Sequence, residues 1–91
     1  MHAIELEKRK YGIEYAGLAV IYSNLGSVYR NLGKLELAEK HFLRAIELNE
    51  REYGVEYVEL AVFYSNLGNV YCNLGKLELA EKQFLHAIEL E

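Results

Sequence analysis

The chain repeats itself. Residues 3–44 read AIELEKRKYGIEYAGLAVIYSNLGSVYRNLGKLELAEKHFLR and residues 45–86 read AIELNEREYGVEYVELAVFYSNLGNVYCNLGKLELAEKQFLH, with 31 of 42 aligned positions identical. A third period starts at Ala87 and runs to Glu91. A period of this size carries one supersecondary unit per copy, which cannot bury its apolar face alone and must stack on neighbours. The chain is therefore expected to form a linear array. Residues His2 to Glu7 and His86 to Glu91 are the same six letters, the phasing expected of an excerpt from a longer array or of a designed unit.

Each period contains two helical patterns. Leu18, Tyr22, Leu25, Tyr29 and Leu32 recur at steps of four, three, four and three, which is one face of a helix. Ile21 and Val28 add a second apolar edge, so this helix must touch neighbours on two sides. Its remaining arc carries Ser23, Asn24, Ser27, Arg30 and Asn31. A second helix is predicted from about Leu35 to Tyr53, with Leu35, Ala38, Phe42, Ala45 and Ile46 inward. Glu36–Lys40 and Glu47–Arg51 stand four residues apart on its outer face, in the favourable order for ion pairs. Gly33 and Gly54 are placed to end the two helices, because a left-handed residue after a helix costs Gly least. The link Gly33-Lys34 is too short for anything but an antiparallel hairpin. The predicted organisation is one array: a partial helix of a preceding repeat over 1–12, a repeat over 13–54 and a truncated repeat over 55–91.

These residues match a known pattern. Tyr22-x-x-Leu25-Gly26-x-x-Tyr29, followed by Gly33, Ala38, Phe42 and Ala45, resembles the tetratricopeptide repeat. Tyr64, Leu67, Gly68, Tyr71, Gly75, Ala80, Phe84 and Ala87 meet the same pattern one period later, so the resemblance covers nearly the whole chain. It implies an all-α fold, a right-handed superhelical solenoid of antiparallel helix pairs, with the first helices lining a concave side. Gly26 and Ala38 would let two helix backbones approach, while Tyr22 and Phe42 fill the space beside them. The period of 42 exceeds the family's usual length of about 34, and Glu50 stands roughly where the family carries Pro. The extra residues, roughly Glu52 to Glu59, are expected to lengthen both helices by about a turn. In this the chain is similar to the longer repeats of kinesin light chains, with their N-L-G/A-x-x-Y core and inner-face Asn. That likeness implies a groove for acidic, tryptophan-bearing peptides held by basic side chains, of which the arc here offers Arg30. Ser23 and Ser65 stand where the first lysine of the family's chaperone-tail clamp would be, so that activity is not carried over.

The candidate protein-binding residues are the polar arcs: Ser23, Asn24, Ser27, Arg30 and Asn31, then Ser65, Asn66, Asn69, Cys72 and Asn73. Asn amides both donate and accept, so a ladder of them suits an extended peptide backbone. The competing reading is purely structural, with Asn24 and Asn66 bonded to an adjacent helix. Tyr22, Tyr29, Tyr64 and Tyr71 fall on signature positions and read as packing. Tyr11, Tyr15, Tyr53 and Tyr57 flank Gly12 and Gly54 and are expected to stack there between neighbouring repeats. His41 and His86 occupy different phases of the repeat with no ligand cluster beside them, so each reads as a solvated or half-buried ring. Cys72 takes the place of Arg30, has no His on its helix, and reads as an incidental thiol.

Composition narrows the function. The net charge is −4, opposite to the basic stripe of a phosphate-backbone binder, so no nucleic-acid partner is expected. No apolar run approaches a membrane span, and one cysteine builds neither a disulfide framework nor a thiolate metal site. There is no Asp, and with three His most hydrolytic constellations cannot be assembled. The expectation is a cytoplasmic, non-enzymatic scaffold without cofactor or metal, holding a peptide or partner protein on its concave side. The alternative is a structural unit that self-associates, by head-to-tail stacking or by swapping its leading segment. Charge is divided in a way that suits head-to-tail contact. Residues 1–44 carry seven Lys/Arg and five Glu (+2), including Lys8-Arg9-Lys10, while residues 45–91 carry three and nine (−6).

Overall fold

The computed structural model describes residues 15–55 and 57–90. The partial helix expected over 1–12, with Lys8-Arg9-Lys10, Tyr11 and Gly12, lies outside the described residues, as does the side chain of Tyr15. The described chain is all helix and connection: α1 (Tyr15–Asn31), α2 (Leu35–Tyr53), α3 (Leu60–Leu74) and α4 (Leu77–Leu90). The second helix has the bounds that its periodicity predicts.

Each hairpin turns on the same local chemistry. The Gly33 N–H donates to the Arg30 carbonyl at 3.0 Å and the Lys34 N–H to the Tyr29 carbonyl at 2.8 Å. One period later Gly75 donates to Cys72 at 3.1 Å and Lys76 to Tyr71 at 2.8 Å. This crossed pair of bonds is a Schellman motif, and it requires a left-handed residue at the glycine. Gly33 and Gly75 sit at φ 80° and 78°. Lys34 and Lys76 at once offer their carbonyls to Ala38 and Ala80, opening the next helix.

The α2–α3 connection works differently. Gly54 adopts φ 92°, ψ 168°, positive in φ as expected but extended in ψ, a region open essentially to Gly. Residues 57–62 then wind with i to i+3 bonds, from Leu60 to Tyr57, Ala61 to Val58 and Val62 to Glu59. The extra residues of the long period therefore extend α2 to Tyr53 and otherwise form a connection. They do not lengthen α3, because Gly54 breaks the helix and the tight winding delays the next α-helical turn until Leu60. Tyr53 and Tyr57 stack on each other across this connection, with ring centroids 4.1 Å apart.

The core forms in two linked clusters. Leu18 and Ala19 of α1 close on Ala45 and Leu48 of α2, with Phe63 of α3 packed against them. Ala38, Phe42 and Ile46 of α2 meet Leu60, Leu67, Val70 and Tyr71 of α3 and Ala80 of α4. α2 is therefore buried on two sides, which also takes Leu48 and Asn49 inside. The predicted close approach at Gly26 is real, but a ring fills it. A Cβ on Gly26 would stand 3.0 Å from Cε1 and Cζ of Phe42, and one on Gly68 2.8 Å from the same atoms of Phe84.

On the outer face of α2, Glu47 pairs with Arg51 at 3.6 Å and more closely with Arg44, three residues back. Among the described residues Glu36 and Lys40 do not close into an ion pair.

Candidate functional site

The polar arc of the first helices is the surface that sequence singles out. The structure exposes Asn24, Ser27, Arg30 and Asn31 on α1, and Cys72 and Asn73 on α3. Asn69 is half-buried. The two helices are tied across this surface by Arg30, whose Nε donates to Oδ1 of Asn73 at 2.8 Å. An open depression there is lined by Arg30, Asn31, Gly33, Leu35 and Asn73.

Ser23 is not part of this open surface. It is buried at 7% exposure, one turn after Ala19 on the face that α1 turns to the core. Its counterpart Ser65 is half-buried and, with Asn66, lines a groove of about 470 Å³ together with Ala61, Val62, Phe84, Ala87 and Ile88. The ten candidates thus divide: most share the open arc, Ser65 and Asn66 border the groove between α3 and α4, and Ser23 is covered.

A second patch was not foreseen from sequence. Tyr22, Leu37, Lys40, His41 and Arg44 line a shallow apolar hollow of about 280 Å³ with a cationic rim. His41 packs on the rings of Tyr22 and Tyr29, with centroids 5.7 and 4.9 Å away, and its Nδ1 lies 2.8 Å from the Leu37 carbonyl. Nε of Arg44 is buried there without a hydrogen-bond partner. Lys40 and Arg44 four residues apart, with His41 between them, would have been the sequence signal. On the second hairpin His86 stacks on Tyr64 at 4.2 Å.

Two tyrosines are tuned by the α2–α3 contact. The Tyr64 hydroxyl donates to Oε2 of Glu50 at 3.1 Å, and burial followed by the Glu50 charge pushes its pKa up to about 12. Burial and a hydrogen bond to Glu39 push Tyr71 up to about 12 as well. Both phenols therefore stay protonated, and Tyr64 donates across the junction between repeats.

Among the described residues no group of His, Cys and Glu could hold a metal ion, and no helix is long and apolar enough to cross a membrane. Paired antiparallel helices, stacked so that each pair shares its core with the next, define a helical-repeat protein. Residues 2–90 match the family described as tetratricopeptide repeat, and the chain belongs to that family. No curated protein and no solved structure matches the chain.

Proposed function

We propose that the chain is a non-enzymatic, cytoplasmic interaction scaffold of the kinesin-light-chain-like kind, which holds an extended peptide or a partner's helix along its concave arc. Members of the family generally mediate protein–protein contact. The observation that carries the reading is the Arg30–Asn73 bond. It aligns the polar edges of α1 and α3 into one continuous surface, where Asn24, Ser27, Asn31 and Asn69 present donors and acceptors at helical spacing. The 42-residue period and the Asn-Leu-Gly core support the kinesin-light-chain-like subtype, and the single free thiol suits a reducing compartment.

Selection of a displayed library of extended peptides on the immobilised chain tests this. Asn24→Ala combined with Asn69→Ala should weaken the selected peptides by about tenfold or more while helicity is unchanged, as expected when bonds of about 1 kcal/mol each are lost. Selection of no peptide, or binding indifferent to the double substitution, would refute the concave reading. Loss of the fold in that variant would assign both Asn residues to structure.

A further inference from the structure

The two ends of the described structure are the two halves of a contact that it makes once internally. Within the chain, Leu67, Val70 and Leu74 of α3 pack with Phe42 and Ile46 of α2, while Phe63 of α3 packs against Ala19 of α1 and Ala45 of α2. The groove between α3 and α4 is lined by the counterparts one period later, Ala61, Phe84, Ala87 and Ile88, together with Val62, Ser65 and Asn66. No helix seated in it is among the described residues, and Ile88 is 70% exposed where Ile46 is 6%. The matching plug lies on α1. Leu25 and Val28 are 38% and 50% exposed, against 1% and 0% for Leu67 and Val70.

We propose that the groove between α3 and α4 is the docking site for α1 of a second copy of this chain, seated in the register that α3 takes on the α1–α2 hairpin. The inference is distinct from the concave reading, because the groove is mostly apolar and shares only Ser65 and Asn66 with the ten candidate residues. A second copy is the occupant because α1 carries the counterparts of the α3 residues that pack on the α1–α2 hairpin. One polar contact transfers in the same register. Glu39 acts on Tyr71 within one copy, so Tyr29 of the incoming copy would meet Glu81, which is exposed. Charge agrees, with residues 1–44 at +2 and residues 45–91 at −6. Two polar contacts are lost. Tyr64 donates to Glu50 inside the chain at 3.1 Å, and the 91 residues hold no counterpart of Glu50 one period later. Arg30 bonds Asn73 inside the chain, but the equivalent pair between copies is Cys72 and Asn31. The junction between copies is therefore weaker than the junction within one. The contact is heterologous, so it propagates instead of closing as a symmetric dimer.

Sedimentation equilibrium over a wide concentration range tests the proposal on the full chain. The wild-type mass should climb past that of a dimer. Ile88→Asp, in the groove, and Val28→Asp, on the plug, should each raise the dissociation constant at least about thirtyfold, the threshold of an interface hot spot. Both positions are exposed in a single copy, so both variants should stay folded. Mixed together, they should form a one-to-one dimer and nothing larger, because each keeps one intact face; that dimer also shows that both have folded. Cys72→Arg should tighten the junction about two- to tenfold by restoring the Arg–Asn bond. A wild-type chain that stays monomeric throughout would overturn the proposal, as would a groove filled by the chain's own leading segment. Association that survives both substitutions, as leading-segment swapping would allow, also overturns it.

Discussion

Gly26→Ala should destabilise the protein, although the same change at most interior helix positions stabilises. Replacing Gly by Ala inside a helix gains up to about 1 kcal/mol, because Ala restricts the unfolded backbone and favours the helix. At Gly26 the added methyl would meet Cε1 and Cζ of Phe42 at 3.0 Å and Cδ1 at 3.1 Å. Carbon pairs prefer about 3.5–4.0 Å, so three contacts fall on the repulsive side of the optimum. Phe42 is 1% exposed and enclosed by the core shared with Ile46, Leu67 and Tyr71, which leaves its ring no space for retreat. Overpacking of this kind costs about 1–3 kcal/mol, which outweighs the propensity gain and leaves a net loss of up to about 2 kcal/mol. Gly17 is the internal control: it lies in the same helix and a Cβ there meets nothing within 4 Å. Gly17→Ala should gain a few tenths of a kcal/mol up to about 1 kcal/mol. Urea unfolding followed by far-ultraviolet circular dichroism, at concentrations low enough to hold the chain as one species, reads both with the same m value. Combining Gly26→Ala with Phe42→Leu should recover part of the loss, with a coupling of about 0.5–3 kcal/mol. If Gly26→Ala stabilises as much as Gly17→Ala, the packing reasoning is wrong.

Gly75→Ala should cost about 1–2 kcal/mol, because φ 78° at the end of α3 forces a side chain into the left-handed region; thermal unfolding checks this, and an unchanged midpoint would contradict the Schellman assignment. Stability should fall on alkaline titration. Tyr64 and Tyr71 have folded-state pKa values raised to about 12, whereas unfolded tyrosine ionises near 10. The contribution is present in full below about pH 10 and is lost as pH rises toward about 12, since only the unfolded chain releases these protons in that window. Unfolding midpoints between those values should show the slope, and Tyr64→Phe should reduce it.

The hairpin ends were legible in sequence because a Schellman motif is local: Gly33 and its neighbours contain all of its chemistry. The bounds of α2 were legible for the same reason, in periodicity closed by Gly54. Stacking was less so. Leu48 and Asn49 fall off a one-face pattern and are buried only because α2 has a neighbour on each side. Ser23 reads as groove-facing from its own helix and is buried. The Arg30–Asn73 bond joins residues 43 apart, and the His41 and His86 stacks depend on rings from different helices. Val28 and Val70 carry the same letter in the same local pattern, yet one is half exposed and the other fully buried. No local rule separates them; what differs is which helix lies alongside.

That difference in neighbours can be measured across a junction between chains. Isotope-filtered nuclear Overhauser spectra on a mixture of labelled and unlabelled chains report only contacts between copies. Side chains of Phe84 and Ile88 from one chain should show contacts to Leu25 and Val28 of the other, mirroring the internal contacts of Phe42 and Ile46 with Leu67 and Val70. Intermolecular contacts at other surfaces, or none at concentrations where the mass has risen, would contradict the claim that one seat is built into this repeat and used both within and between chains.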